Sequence, residues 1–313
     1  MIAQVSLLIR QSSGVSGAEI LVTQQVLFGG SWTQQKLRVL SKYLKAYRKI
    51  FDKNERVRYF SVTYIDAFAG TGVIPRPEIQ GSFAELIPTI EEAEEEFRKG
   101  SVRRALEVDP PFHRYLFIEK IRAKCDELFA LQVEFPDRKI DVVNDDANSA
   151  LLNWCRGLDT RRERAVVFLD PFGASVEWNV IEAIARTNAV DLWILFPYSA
   201  VNRMLTRDRK PSPSWSDKLT RIFGTGEWEE KFYQSEQMTS MLNPGEEVEL
   251  VYKTAGRLSI IQFFAERLQT VFPEVARPGP LFNSKGLLFV LFFAASSKTG
   301  AKIANDLLRD IAQ

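Results

Sequence analysis

Five apolar runs of strand length constrain this chain more than any other feature. They read VTYIDAF (62–68), YLFIE (115–119), IDVV (140–143), AVVFLD (165–170) and VDLWILF (190–196), and a sixth, GLLFVLFFA, follows at 286–294. Stretches of helical character lie between them, such as FAELIPTIEEAEEEF (83–97) and WNVIEAIAR (178–186). Strands alternating with helices build parallel βαβ units. Runs that are apolar throughout belong to a sheet covered on both faces. The expected fold is therefore α/β and Rossmann-like: a mostly parallel seven-stranded sheet with helices on both faces. An antiparallel hairpin near 272–277 and 286–294 would close it.

The remaining segments arrange themselves around that sheet. Trp32, Leu37, Leu40, Leu44, Tyr47 and Phe51 recur at helical spacing, which predicts an N-terminal helix over 32–53 with Lys and Arg on its other face. Residues 1–30 carry only Arg10 and Glu19 as charges. A secretory signal has a basic start, and Met1–Leu8 has none, so this segment reads as a poorly packed arm. Residues 31–313 read as a single domain. Within it, 200–270 carries few strand signals and reads as an insertion of loops and helices, ending in a helix near 256–270. The acidic run Glu91–Glu96 reads as the solvated face of a helix.

Side-chain inventory excludes whole classes of chemistry. The chain has 313 residues, one histidine and two cysteines. A two-histidine metal site, an HExxH helix and a four-cysteine zinc site are all excluded. Proton transfer is left to carboxylates, Tyr or Lys. Cys125 and Cys155 read as buried small hydrophobes, and cysteine usage suits a reducing cytoplasm. No run reaches the roughly 18 apolar residues of a membrane helix. Basic residues number 41 and acidic residues 40, a net charge of +1, so any affinity for nucleic acid must be local.

The polar residues at the strand ends carry the chemistry. The first strand runs into Asp66-Ala67-Phe68-Ala69-Gly70-Thr71-Gly72, where glycines permit a tight turn and close approach to a ligand. Pro75 breaks the glycine fingerprint of a dinucleotide enzyme, which leads straight into a helix. Ser82 and Glu85 form a capping box, and free amides at a helix start also suit a carboxylate. Glu119 ends the second strand, where an acidic residue can accept from ribose hydroxyls. Asp146, in NDDAN after the third strand, can accept from an exocyclic amine or simply cap a helix. The fourth strand ends at Asp170-Pro171-Phe172-Gly173. Asp170 and Phe172 stand where a ligand at the strand ends would meet them. Each of these positions also fits a plain turn or cap.

Asp109-Pro110-Pro111-Phe112 looks similar to the fourth-strand motif but precedes the second strand. Ligands bind at the carboxyl ends of strands, so this stretch reads as a loop and His113 beside it as a surface or packing residue. After the fifth strand, Arg203 to Arg221 holds six basic residues against Asp208 and Asp217. Arg203, Arg207 and the interleaved Trp215 are candidates for binding single-stranded nucleic acid, or form a solvated loop.

The pattern D-x-F-x-G-x-G is similar to motif I of S-adenosylmethionine-dependent methyltransferases. Asp-Pro-Phe-Gly resembles their amine motif, without its second proline; that motif sets a carboxylate or amide on the target amine, orienting it and relieving its developing positive charge, with an aromatic ring stacked on the base. In order, WTQQKLRVLSKYL, YIDAFAGTG, GSFAEL, FIE, DAN at 146–148, RAVVFLDPFG, VEWNVIEAIARTNAVDLWILFP and LTRIFGTGEW resemble the three-Cys-motif partner protein family. That resemblance implies a class I methyltransferase-type fold and S-adenosylmethionine as cofactor. It places Asp66, Phe68, Gly70, Gly72, Ser82, Glu119 and Asp146 around the cofactor and Asp170, Pro171 and Phe172 at the acceptor. It implies as partner a separate protein with a three-cysteine motif. The function it implies is methyl transfer to an amine, with a nucleic-acid base as one acceptor. The alternative is a binding protein that works with the cysteine-motif partner and turns nothing over.

Overall fold

The computed structural model describes residues 31–69, 100–171, 175–208, 210–239, 247–283 and 286–309. In chain order the first half runs α1 (Ser31–Lys53), β1 (Ser61–Asp66), α2 (described over 100–106), β2 (Arg114–Ile118), α3 (Arg122–Glu134), β3 (Ile140–Val143), α4 (Ala147–Gly157), β4 (Glu163–Leu169), α5 (Trp178–Arg186) and β5 (Val190–Phe196). Then follow α6 (Tyr198–Met204), α7 (Pro213–Phe223), α8 (Trp228–Phe232), β6 (Tyr233–Thr239), β7 (Glu247–Lys253), α9 (Arg257–Gln269), β8 (Glu274–Val275), β9 (Gly279–Asn283), β10 (Gly286–Ala295) and α10 (Lys298–Arg309).

The sheet order is β3-β2-β1-β4-β5-β10-β8, with β9 also on β10. β1 to β5 are parallel, and β10 is antiparallel to β5. The chain runs outward from β1 in one direction and then, from β4, in the other. That doubly wound reversal opens a crevice at the carboxyl ends of β1 and β4. It is the Rossmann-like arrangement expected of a methyltransferase-type sheet.

Side-chain alternation assigns the two faces. Ile65, Val167 and Ile194 point to a layer formed by α4 to α9, whereas Tyr64, Val166, Phe168, Trp193 and Leu195 point to α1, α2, α3 and α10. Every residue of β5 is buried. Each large aliphatic or aromatic side chain removed from water there contributes about 1.5–3 kcal/mol before chain entropy is charged against it.

Three expectations need correction. The seventh strand is broken into β8 and β9. Val275 pairs with Ala294 and Gly279 with Leu291, so four steps on one strand oppose three on the other. Pro278 lies in this bulge, where a residue without an N–H is tolerated. The segment 200–270 is not only loops and helices: β6 and β7 pair as a two-stranded ribbon. Their sequences, YQSEQMT and EVELVYK, mix polar and apolar residues, so they lack the apolar run that marks a buried strand. Finally, the inner face of α1 is not purely apolar. Lys36 and Arg48 are buried there beside Val39, Leu40, Tyr43, Leu44 and Tyr47. The Arg48 Nε donates to the Pro111 carbonyl at 2.8 Å.

Asp109–Phe112 is a loop before β2, as expected. His113 lies at the surface, and its Nδ1 accepts from the Val62 N–H at 2.9 Å. Burial and the Arg48 charge lower its pKa. Cys125 is buried and Cys155 partly so.

α1 is also tied to the opposite end of the sheet. Tyr43 donates its hydroxyl to the Asp191 carboxylate, buried near the start of β5 beside a cavity of about 290 Å³. Burial pushes Asp191 up to about 7, against the partial relief that the tyrosine hydrogen bond gives. An unfolded aspartate ionises near pH 4. Between about pH 4 and 7 the unfolded chain therefore releases a proton that the folded chain holds. Stability from this group is complete below pH 4 and declines as pH rises towards 7, by up to about 4 kcal/mol. Denaturant titrations at pH 5 and 7.5 should show wild type losing stability relative to Asp191→Asn as pH rises. A difference that does not change with pH would remove the assignment.

Candidate active site

The carboxyl ends of β1 to β4 bring four acidic residues to one edge. In register, Asp66 of β1 pairs with Phe117 and Phe168, and Ile118 of β2 with Val143. Asp66, Glu119, Asp146 and Asp170 thus fall within a few residues of one line across the sheet. Backbone bonds continue past the strands. Ala67 N–H donates to the Phe168 carbonyl, Ala69 N–H to Ile118, and Glu119 N–H to Val143.

Asp66 is almost fully buried. It accepts from the Ser101 hydroxyl at 2.8 Å, from the Tyr64 hydroxyl at 3.3 Å and from the Phe68 N–H at 3.3 Å. The carboxylate thereby shapes the start of the turn and pins α2 to it. Burial and the Asp66 charge, with a further push from Asp170, hold the Tyr64 phenol well above its ordinary value, so it remains a donor.

Glu119 is buried, and its Oε1 accepts from the Ile121 N–H at 2.7 Å. Asn144 Nδ2 bonds the carbonyls of Glu119 and Lys120, both at 2.9 Å. These bonds fix how the chain leaves β2. Asp146 caps α4, accepting from the Asn148 and Ser149 N–H groups, and lies 3.6 Å from Lys120 Nζ. Its side chain is 42% exposed, so the cap leaves it open to solvent.

Asp170 is 2% exposed, and its Oδ2 lies 3.6 Å from the ammonium of Lys36, itself 1% exposed. Among the described residues Oδ2 accepts no hydrogen bond. The loop that follows Pro171 is held from α4. Asn148 Nδ2 donates to the Ser175 carbonyl at 3.0 Å, and its Oδ1 accepts from the Glu177 N–H at 3.1 Å. Lys36, Ser101 and Asn148 are contributors that the motif reading did not single out. For Asn148 a signal existed, since it is the last residue of DAN.

Arg203 and Arg207 are exposed just past β5, and Trp215 is 40% exposed on α7. Lys253 lies close by, donating to Asn202 Oδ1 at 2.7 Å. Burial and the Arg207 charge lower its pKa. The structure therefore gathers Asp66, Phe68, Glu119, Asp146, Asp170 and Pro171 at the crevice. It leaves Arg203, Arg207 and Trp215 on the adjoining surface. Gly70, Gly72, Ser82 and Phe172 lie outside the described residues.

An α/β protein with a crevice of carboxylates at the ends of parallel strands is what fold and site define together. No family model matches the chain. No curated protein matches it either. Solved structures do. A protein of the DUF519 family from Legionella pneumophila is 15% identical, covering 86% of this chain and 98% of its own, with a TM-score of 0.38. An S-adenosylmethionine-dependent methyltransferase from Clostridium acetobutylicum is 10% identical, covering 83% and 92%, with a TM-score of 0.36. Trm1 from Pyrococcus horikoshii, solved with S-adenosyl-L-methionine, is 12% identical, covering 90% and 71%, with a TM-score of 0.35. At such identities and scores, the assignment of fold rests on the strand order itself.

Proposed function

We propose that this chain is an S-adenosylmethionine-dependent methyltransferase whose acceptor is an amine of a nucleic-acid base. The observation that carries the reading is the row of Asp66, Glu119, Asp146 and Asp170 along the carboxyl edge of β1 to β4. The donor set fits the cofactor. Ribose hydroxyls and the adenine amine are hydrogen-bond donors, and this edge offers carboxylate acceptors. Glu119 holds the ribose with the oxygen not used by Ile121, and the exposed face of Asp146 meets the adenine. The cofactor supplies an electrophilic methyl group when bound.

Asp170 acts on the acceptor. Its carboxylate accepts from the amine N–H, orients the lone pair and stabilises the positive charge that grows as nitrogen acquires a fourth bond. The released proton leaves to solvent. Arg203, Arg207 and Trp215 supply charge and a stacking surface for a flexible strand. The three-Cys-motif partner resemblance adds a protein partner, which delivers or activates the acceptor.

Calorimetric titration with S-adenosylmethionine tests the cofactor half. Binding near 1 μM, about −8 kcal/mol, is expected for wild type. Glu119→Ala should weaken it by about tenfold or more, through lost ribose contacts. Transfer of tritium from labelled cofactor to ribosomal RNA and to single-stranded DNA tests the acceptor half. A folded wild type that binds no cofactor would overturn the reading in favour of a partner-binding protein.

A further inference from the structure

The buried pair of Lys36 and Asp170 links α1 to the chemistry. Lys36 reaches the end of β4 from the inner face of α1, with its ammonium 3.6 Å from Asp170 Oδ2 and 5.6 Å from the centre of the Phe289 ring on β10. Both side chains are shut off from water, at 1% and 2% exposure. Burying two charges costs several kcal/mol per ion and is not a cheap way to fasten a helix. A leucine at position 36 would suit this apolar face, so the lysine has a use beyond packing.

Asp191 shows what a buried carboxylate does in this protein without a cation. Among the described residues its hydrogen-bond partner is the Tyr43 hydroxyl alone, and burial pushes its carboxyl up to about 7. Asp170 has a more demanding setting. Among the described residues, the titratable groups around it are Lys36 from α1 and, from β1, Tyr64 with its bonded partner Asp66. Without the ammonium, Asp170 would face a second buried carboxylate across a phenol. Desolvation and like charge would both favour its neutral form. A neutral carboxyl group cannot stabilise an ammonium-like transition state as a carboxylate does.

We propose that Lys36 is a positioning residue for methyl transfer, its ammonium keeping Asp170 ionised and fixed in place for the acceptor amine. This rests on the reading of Asp170 as the amine-contacting group. Lys36 itself touches neither cofactor nor acceptor.

Two readouts on the full chain test it. The first is the pH profile of kcat/KM for Lys36→Met and Lys36→Arg, using the RNA or single-stranded DNA that wild type methylates. Lys36→Met should move the acid limb upwards, towards neutrality, so that activity at about pH 6 falls about tenfold or more and recovers as pH rises. Lys36→Arg, which keeps the charge, should keep the wild-type limb. The second is titration of the Asp170 carboxyl carbon by NMR, identified by its loss in Asp170→Asn. Its midpoint should rise in Lys36→Met and match wild type in Lys36→Arg. If Lys36→Met does not fold, Lys36→Gln is read in the same way.

An activity loss equal at every pH, or an Asp170 midpoint unmoved in Lys36→Met, would overturn the proposal and leave a purely structural pair. Failure of the methyltransferase reading looks different. Wild type would then transfer no methyl group at all, and the carbon titration alone would decide whether Lys36 controls Asp170.

Discussion

Asp170→Asn is expected to lower methyl transfer by about 10²–10³-fold while leaving cofactor binding within about twofold of wild type. The choice of asparagine follows from the burial of Asp170 against Lys36. Both variants remove the counter-charge beside the buried Lys36 ammonium, a change that commonly costs about 3–5 kcal/mol, but Asp170→Ala also opens a cavity and leaves no oxygen there, whereas asparagine keeps a carbonyl towards it. Loss of activity in the alanine variant would then mix catalysis with misfolding. Asparagine keeps the volume and one carbonyl acceptor, so the lone pair of the amine can still be oriented. What it removes is the negative charge that offsets positive charge developing on nitrogen. The expected pattern is a fall in kcat with little change in the cofactor titration. Equal losses in binding and turnover would place Asp170 among the cofactor contacts. Wild-type turnover would end its catalytic assignment.

The sheet was legible because its parallel strands are predominantly apolar, most clearly β5, every residue of which is buried. IDVV, WNVIEAIAR and VDLWILF match β3, α5 and β5 residue for residue. A buried parallel strand must be apolar on both faces, and that leaves a mark in sequence. The β6–β7 ribbon left no such mark, since Met238 and Leu250 on it are exposed and its neighbours are polar. The site was legible where a strand end set the position, as at Glu119 and Asp170. Lys36 was not. A lysine in QQKLRVL reads as the solvent face of a helix until its partner on another element is known. Ser101 was hidden for the same reason, since its bond to Asp66 joins elements distant in sequence. Local pattern fixes which residues are apolar, while a buried polar pair is defined only by the partner that tertiary structure supplies.

Gly224→Ala is expected to destabilise the protein by about 4 kcal/mol. Gly224 follows α7 and has φ of +70°, the left-handed cap that ends many helices. A side chain in that conformation costs about 1–2 kcal/mol alone. Space adds a second penalty. A Cβ here would come within 2.1 Å of the Trp178 ring, an overlap no small shift relieves. Trp178 has little freedom to retreat. Its Nε1 donates to Glu182 at 3.0 Å, the Arg267 guanidinium covers it at 4.8 Å, and Phe264 meets it edge-on. Arg267 also donates to the Phe223 carbonyl beside the cap, so ring, cap and α9 form one unit. Thermal unfolding should show the variant melting roughly 6 °C below wild type. Gly157→Ala is the control, since it closes α4 with nothing within 4 Å of the added Cβ. There alanine should be neutral or stabilise by up to about 1 kcal/mol. A Gly224→Ala variant as stable as this control would show that Trp178 can move, and that α5 and α7 are not locked together.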